Sequence, residues 1–438
     1  MSRSPRWRGH ERRHRRAGLG AIVNSPPLFP APTVLAQAEP RILFLDLTND
    51  PGSDRIVAEM GRAGAHCAVA GIAGAFAAQS RFVQDYFALP DWGGAALRSL
   101  VLGLRLERIV RDWAPDMIMP IDDLAARVIR DRRVYRRASP ALRRLIARSL
   151  GDPRYFEIAC SRQGLARLGR EIGVRMPRQE SAPDLASARR LAAAFGYPVV
   201  LKREQSCGGA GVAIVRDDAG MICAFRRSRM RAQGKRLLGW APGFDLGAEA
   251  PLTLQQYIPG ALAFRVSACA DGVEREGVSF VALRDGCEDT SASTVIQQCD
   301  NAEMGEATRR VVAALQCSGI VSLDFIVTRR GEAYLIEMNA RPIGCGHLGR
   351  LYGHDVYAAA IGAPADWRAP PSERPAPPRA IALFPRELDR DPASPNLAPS
   401  ADVLHDIPWD DPAVVKAYAA WLRGRHPRKA AELAKAGL

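Results

Sequence analysis

The sequence has no uninterrupted apolar stretch of the roughly 18–20 residues that a transmembrane helix requires, so we expect no membrane-spanning segment. Its nine cysteines include no CxxC pair, and their number is odd. This pattern argues against both a structural zinc site and a disulfide framework. Scattered thiols are typical of a reducing compartment, and we therefore expect a cytoplasmic protein.

Acidic residues are fewer than basic ones, and the net charge is +14 over 438 residues. Three segments hold the excess: residues 1–16 carry +6, residues 130–149 carry +7 and residues 226–236 carry +6, so the rest of the chain is net −5. In 130–149, apolar residues recur at helical spacing and Tyr135 is the one aromatic residue. We expect its arginines to form a solvated helix face, because no base-stacking pattern accompanies them.

Residues 1–40 are expected to be a disordered basic extension. A weakly apolar stretch ending in Ala36-Gln37-Ala38 follows the arginines and is similar to a secretory cleavage site. Four prolines interrupt that stretch, which favours the extension. An RNA- or membrane-associated role for this basic tail stays open as an alternative and would be salt-sensitive.

Short apolar runs alternate with helical patterns between residues 41 and 150. The runs Arg41–Leu47, His66–Ala70 and Asp116–Pro120 are suited to buried parallel strands. This order predicts an open α/β sheet with right-handed crossovers.

Asp122 and Asp123 directly follow the third run. The carboxyl end of a strand is where such sheets bind ligands. Helix capping explains this acidic pair equally well.

The second half of the chain mixes strands and helices. Ser161–Gly173 and Leu185–Phe195 read as helices, and a proline-rich stretch over 370–400 is expected to be irregular. A terminal helix is predicted after Pro412, with Val414, Val415, Tyr418 and Leu422 on one face. The predicted strands are Val199–Lys202, Leu252–Ile258, Ile320–Val327 and Ala333–Met338, the last two joined as a hairpin.

Lys202 ends a predicted strand and is followed by the glycine-rich sequence Ser206-Cys207-Gly208-Gly209-Ala210-Gly211. Backbone N–H groups of a glycine-rich turn approach phosphate oxygens closely, and a lysine adds positive charge. No GKS or GKT sequence occurs, so this is not a Walker motif, and the glycines follow the lysine rather than precede it as in kinases. A hairpin turn without any ligand remains an alternative for these glycines.

The arms of the predicted hairpin carry Asp324, Glu337 and Asn339, followed by Arg341. Glu337 and Asn339 share a face because strand side chains alternate. Three converging oxygen-bearing side chains suit Mg²⁺. The alternative is a polar outer face, but the flanking residues are apolar, and buried carboxylates need cations.

Together these features resemble the ATP-grasp superfamily of carboxylate-amine and carboxylate-thiol ligases, of the carbamoyl-phosphate synthetase type. The resemblance covers about residues 41–365. It implies a Rossmann-like N-terminal domain over 41–150 and a two-lobed ATP-grasp domain over 151–368. Within the latter, the glycine-rich-loop lobe would cover about 185–258 and the metal-site lobe about 259–365, followed by a linker and helical segment over 369–438.

The resemblance also assigns roles to particular residues. Lys202 and Arg162 would contact the ATP phosphates, and Arg341 would face phosphate or substrate. Asp324, Glu337 and Asn339 would bind Mg²⁺, as two ions, with Mn²⁺ as an alternative metal. The glycine-rich loop that would cover the phosphates contributes Ser206, Gly208, Gly209 and Gly211, and the hinge strand that would bind adenine contributes Gln255, Gln256, Tyr257 and Ile258.

Two positions depart from the family pattern. A glutamate that binds the ribose hydroxyls often follows the hinge glycine, but Gly260 is followed by Ala261, Leu262 and Ala263. An acidic residue is common where Gln255 stands. We therefore expect another group, such as a hinge glutamine, to bind the ribose.

The implied activity is an ATP- and Mg²⁺-dependent ligation, in which a small carboxylate is activated as an acylphosphate for attack by an amine or similar nucleophile. The alternative is a nucleotide-binding regulator that performs no ligation. A homodimer is compatible with the sequence, and nucleic acid is not an expected partner. Arg265, on the strand after the hinge, His347 and His354 are candidates for substrate binding. We expect variable loops at about 261–265, 284–294 and 344–354 to build the acceptor pocket.

Overall fold

The computed structural model describes residues 39–90, 95–203, 211–237, 252–284, 292–362, 379–391, 394, 396 and 402–427. These described residues form three β-sheets, of four, seven and four strands. In the same part of the chain, no helix combines the length and the apolar character needed to cross a lipid bilayer.

The first sheet belongs to the N-terminal part of the chain, and its strands are all parallel. They lie in the order β3-β2-β1-β4. The strands are β1 (Arg41–Asp46), β2 (His66–Gly71), β3 (Val83–Ala88) and β4 (Met117–Pro120). The three predicted strands are confirmed, and their nearly continuous burial agrees with apolar runs covered on both faces. The sequence does not predict β3, an edge strand in which more and less exposed residues alternate.

Helices connect and follow these strands. They are α1 (Ser53–Arg62), α2 (Ala95–Trp113), α3 (Asp123–Arg130), α4 (Arg132–Arg137), α5 (Pro140–Leu150) and α6 (Phe156–Ala159). The predicted solvated face of the basic segment 130–149 is present on α4 and α5, where six arginines are exposed. Arg143 of α5 is half-buried, and Arg130, at the end of α3, is buried with its guanidinium 5.6 Å from the centre of the Phe156 ring.

The second sheet is antiparallel, in the order β5-β8-β6-β7. Its strands are β5 (Gln179–Ala182), β6 (Val199–Arg203), β7 (Val212–Val215) and β8 (Leu252–Gln256). Helix α7 (Arg162–Glu171) precedes it, and α8 (Leu185–Phe195) and α9 (Asp218–Leu237) supply Ala188, Ala192 and Met221 to its core.

The third sheet has the order β13-β12-β9-β10-β11-β14-β15. Its strands are β9 (Ala261–Ala270), β10 (Val273–Arg284), β11 (Val295–Gln298), β12 (Gly319–Val327), β13 (Ala333–Asn339), β14 (Ala380–Ala382) and β15 (Val403–His405). The predicted hairpin is confirmed as the antiparallel pair β12–β13. Helix α10 (Ala302–Ala314) packs on this sheet through Met304 and Val311, and α11 (Val356–Ile361) contacts β9 and β10.

The C-terminal region is more regular than its proline content predicts. The expectation of irregular structure over 370–400 is wrong for β14 and for the helix α12 (Arg386–Arg390). Strand β14 forms because its apolar residues are buried against β11, with Ile381 opposite Ile296. The predicted terminal helix is α13 (Pro412–Arg425), which buries Tyr418 against Phe76 with ring centroids 4.1 Å apart.

Candidate functional site

Asp324, Glu337 and Asn339 lie together on the β12–β13 hairpin. Asp324 is directly opposite Glu337 in the strand register, and the Asn339 side-chain amide donates to both carboxylate oxygens of Asp324 at 3.3 Å. The register shifts just after Asp324, where Ile336 is an extra residue of β13. A bulge of this kind changes the direction of neighbouring side chains and is common beside functional sites. The sequence predicts this convergence but not the bulge.

The two carboxylates repel one another. Burial and the nearby charge of Glu337 raise the pKa of Asp324 to about 7, against the opposing effects of Asn339, Arg341 and Lys202. Two carboxylates and an amide oxygen form a set of hard donors, and a divalent cation between them would relieve the repulsion. The residues present therefore fit Mg²⁺. Among the described residues, no group of three or more His, Cys, Asp and Glu side chains could hold a metal ion, so the fit depends on Asn339.

Arg162 links this hairpin to the second sheet. It lies in the first turn of α7, whose N-cap residue Ser161 accepts a hydrogen bond from Gly164 N. Its guanidinium donates to Glu337 Oε1 at 2.5 Å and to the carbonyl of Arg203 at 2.6 Å. The side chain is only 8% exposed. Arg162 is thus held between the end of β6 and the Glu337 carboxylate of β13.

Lys202 is buried near the end of β6, opposite Val212 of β7. Val199 and Leu201 of β6 belong to the core on one face of the second sheet. Because strand side chains alternate, the Lys202 side chain lies on the opposite face. The sequence between these strands is the glycine-rich loop, of which Ser206, Gly208 and Gly209 lie outside the described residues. Gly211 closes the turn, with a φ of +102° and its carbonyl accepting from Arg203 N at 3.0 Å.

The predicted hinge residues lie at and after the end of β8, the strand between β5 and β6. Gln255 is buried, and its Oε1 atom has no hydrogen-bond partner among the described residues. Gln256 N donates to the carbonyl of Arg178 at 2.8 Å. Tyr257 and Ile258 follow the strand and are half-buried.

Arg341 connects the hairpin to the edge of the first sheet. Its guanidinium forms a bidentate ion pair with Asp123 at 2.8 and 2.9 Å. Burial opposes the charged form, but the Asp123 hydrogen bond and charge outweigh it and raise the pKa of Arg341. The sequence offers no signal for this pairing, because the two residues are 218 positions apart.

Asp122 and Asp123 have different roles, and the capping interpretation is confirmed for Asp122. Asp122 is the N-cap of α3 and accepts a hydrogen bond from Ala125 N at 2.8 Å. It also accepts from Leu47 N, in the loop after β1. Burial raises the pKa of Asp122 to about 6.

The three residues considered for substrate binding each contact a carboxylate other than Asp324 and Glu337. Arg265 donates to Glu274 at 2.8 Å and to Ser279 at 3.1 Å, which joins β9 to β10. His354 lies 3.1 Å from Glu276, and His347 Nε2 lies 3.4 Å from Asp406. Of the three loop segments considered for the acceptor pocket, residues 285–291 lie outside the described residues.

Comparisons with known proteins find sequence relatives for part of this chain. Residues 162–237 match the family model described as the carbamoyl-phosphate synthase L chain, ATP binding domain. The chain is 27% identical over 210 residues to the carbamoyl phosphate synthase large chain of Rubrobacter xylanophilus, an alignment that covers 46% of this chain and 18% of that protein. The large chain of Sulfolobus acidocaldarius is 23% identical over 193 residues, with 42% and 17% covered. The matched region is thus about a fifth of the length of these curated relatives.

Solved structures show the same fold. The biotin carboxylase domain of Hydrogenobacter thermophilus 2-oxoglutarate carboxylase matches with a TM-score of 0.56 and 16% identity, covering 75% of this chain and 70% of that chain. Carboxyaminoimidazole ribonucleotide synthase from Aspergillus clavatus matches with a TM-score of 0.53 and 13% identity, covering 77% and 79%. An L-amino acid ligase from Bacillus licheniformis matches with a TM-score of 0.53 and 14% identity, covering 79% of both chains.

This chain is a mixed α/β protein, and it has the ATP-grasp fold of these solved structures. Sequence similarity to the carbamoyl phosphate synthases covers less than half of this chain, and the solved structures add the shared fold.

Proposed function

We propose that this protein is an ATP- and Mg²⁺-dependent ligase that activates a carboxylate substrate as an acylphosphate for attack by an amine or similar nucleophile. The observation that carries the proposal is the convergence of Asp324, Glu337 and Asn339 with a buried lysine and two arginines. Phosphoryl transfer depends mainly on positioning and on neutralising charge, and this set supplies both.

Each residue has a distinct part in the proposed reaction. Asp324, Glu337 and Asn339 would hold Mg²⁺, as one or two ions, with Mn²⁺ as a substitute. Bound Mg²⁺ would neutralise phosphate charge and orient the phosphates. Lys202 and Arg162 would contact phosphate oxygens, and Arg341 would stabilise the transferring group, held in position by Asp123.

The nucleotide base and ribose would be bound by the hinge. Gln255, Gln256, Tyr257 and Ile258 are the proposed contacts, with Ser206, Gly208, Gly209 and Gly211 covering the phosphates. The unpartnered Oε1 of buried Gln255 supports this proposal, because a buried amide oxygen without a donor is costly. A donor from the nucleotide would satisfy it, which offers a replacement for the glutamate missing after Gly260.

The structural neighbours bind ligands consistent with this proposal. The Hydrogenobacter domain is described as a dimer in complex with MgADP, ADP and bicarbonate, and the Aspergillus enzyme as a complex with ATP. We infer that this chain likewise takes ATP and a small carboxylate. A homodimer and a cytoplasmic location are part of the same proposal.

The proposed domain organisation follows the three sheets. We infer a Rossmann-like domain over 41–150, supported by the parallel order β3-β2-β1-β4. The ATP-grasp domain would cover 151–368, with its lobes at about 185–258 and 259–365. Residues 369–438 would follow as a linker and helical segment after the basic extension over 1–40.

A screen for ADP release tests the function. The full chain is incubated with ATP, Mg²⁺ and pairs of carboxylates and amines, with Glu337→Gln as the matched inactive variant. The proposal expects ADP release that requires Mg²⁺ and one acceptor pair, and that Glu337→Gln abolishes. Tight ATP binding without release for any acceptor would instead identify a non-catalytic nucleotide-binding regulator.

A further inference from the structure

We infer that a second pocket, separate from the candidate site, binds an aliphatic molecule bearing ammonium groups, of the diamine or polyamine class. The pocket lies between three parts of the chain. These are α1, the short helical segment Gly346–Tyr352, and strand β15 with the residues that follow it. Its volume is about 460 Å³, within the range of small-molecule sites. None of the proposed metal or phosphate residues lines it, so the inference does not rest on the proposed function.

The walls of the pocket carry an excess of negative charge. Three arginines, one histidine and six carboxylates line it. The carboxylates are Asp54, Glu59, Asp355, Asp406, Asp410 and Asp411. All of these except Asp410 are buried. A concave surface with low-dielectric walls and one sign of excess charge attracts ligands of the opposite sign.

The arginines of the pocket are already engaged by the walls. Arg55 pairs with Asp54 and donates to the carbonyl of Asp406 at 2.8 Å. Arg62 pairs with Glu59 and, at 2.5 Å, with Asp410. The third, Arg350, lies 2.8 Å from Glu59 and 3.4 Å from Asp355. An anionic ligand would therefore have to compete with these carboxylates for the arginines. A cationic ligand would instead be attracted by the carboxylates that outnumber the arginines.

One buried carboxylate of the pocket is incompletely satisfied. Asp411 is 2% exposed, and its Oδ2 atom accepts from Ser80 Oγ at 2.7 Å and from Arg81 N at 3.1 Å. Its Oδ1 atom has no hydrogen-bond partner in the described part of the chain. A buried carboxylate oxygen without a donor is unfavourable, and an ammonium group brings three donors.

The remaining lining is apolar. Ala58, Leu348, Leu351, Leu404, Ile407 and Pro408 line the same cavity. Apolar walls suit the methylene chain of a ligand whose charged ends contact the carboxylates. A diamine combines both properties, while an inorganic cation would leave the apolar walls without a partner.

Calorimetric titration of the full chain without nucleotide tests this inference. The probes are 1,4-diaminobutane and butanedioate, which have similar length and opposite charge. We expect saturable 1:1 binding of the diamine and at least tenfold weaker binding of the dianion. Ala58→Phe, which fills the cavity from α1, should weaken diamine binding at least tenfold, whereas Ala58→Ser should retain it.

Leu351→Trp blocks the cavity from a half-buried position and keeps the test valid if Ala58→Phe fails to fold. Diamine binding that is unchanged in the blocked variants, absent in the wild type, or equalled by butanedioate would overturn the inference. Because no nucleotide is present, each of these results leaves the proposed ligase activity to be judged by ADP release alone.

Discussion

Arg341 and Asp123 form a bidentate ion pair, with N···O distances of 2.8 and 2.9 Å, that joins the β12–β13 hairpin to the edge of the parallel sheet. Asp123 follows the N-cap of α3, whereas Arg341 follows β13. The pair therefore fixes the direction of an arginine that we expect to contact the transferring phosphoryl group. Its position makes the N-terminal part of the chain a structural support for the candidate site.

Replacing Asp123 should impair catalysis more than nucleotide binding. Asp123→Asn removes the charge that holds Arg341, and we expect kcat to fall at least about tenfold, because truncating one member of a largely buried pair costs on the order of 2–5 kcal/mol. The KM for ATP should change less than threefold. Steady-state kinetics measures both quantities. Asp112→Asn, on an exposed ion pair of α2, is the control and should behave as wild type.

Arg162 should affect nucleotide affinity through charge and geometry together. Arg162→Ala removes the contacts to Glu337 and to the Arg203 carbonyl, and we expect ATP binding to weaken about 10- to 100-fold. Arg162→Lys should recover only part of the affinity. A lysine ammonium lacks the planar guanidinium fork that donates to both Glu337 and the Arg203 carbonyl. Calorimetric titration with ATP and Mg²⁺ measures the effect. Full recovery by lysine would show that charge alone matters.

The buried carboxylate of Asp46 should lower the free energy of unfolding at alkaline pH, where it is ionised. It is completely buried at the end of β1, and burial and the charge of Asp122 raise its pKa from 3.8 to about 7. Since the folded state binds this proton more tightly than the unfolded chain, the contribution of Asp46 to the free energy of unfolding decreases as the pH rises from about 4 through 7. Asp122, with its pKa raised to about 6, acts in the same direction.

Asp46→Asn should therefore stabilise the protein at pH 8, by roughly 2–4 kcal/mol, and flatten the pH dependence of its unfolding. The amide oxygen can still accept from Asn49 N, as Asp46 Oδ1 does at 2.9 Å. Urea denaturation at pH 5 and pH 8 measures the difference. A variant less stable than wild type at pH 8 would contradict this account of the Asp46 charge.

Deleting residues 1–38 should leave nucleotide turnover and the melting temperature unchanged. The first strand begins at Arg41, and the proposed site residues all lie beyond position 160. The deletion removes +6 of charge, so any salt-sensitive affinity for RNA should disappear with it. Filter binding at two salt concentrations, beside the ADP-release assay, checks both expectations. Loss of turnover on deletion would give the tail a direct role in the reaction.

Local patterns are sufficient to predict much of the fold. The runs that form β1, β2 and β4 are mostly apolar because both faces of these strands are buried, and such runs are visible without any knowledge of the partner strands. Strand β3 and the short β14 carry weaker patterns. They depend on neighbours such as β2 and β11, which the sequence does not specify.

The candidate site is predictable only where its residues share one element. Asp324, Glu337 and Asn339 lie on a single hairpin, so alternation along its strands is enough to bring them together. The Arg162–Glu337 and Arg341–Asp123 pairs each join distant elements. Their existence follows from how the sheets pack, and no local pattern encodes it. The same holds for the carboxylate-rich pocket, whose walls come from three separate parts of the chain.

The most direct test of the central claim compares Glu337→Gln with Glu332→Gln. Both glutamates lie on or beside the β12–β13 hairpin, but Glu332 pairs with Arg175 at its far end. Mg²⁺-dependent ADP release in the presence of an accepted substrate pair is the quantity to measure. We predict that Glu337→Gln abolishes it with an unchanged melting temperature while Glu332→Gln retains it. Wild-type turnover by a folded Glu337→Gln variant would contradict the assignment of the metal site.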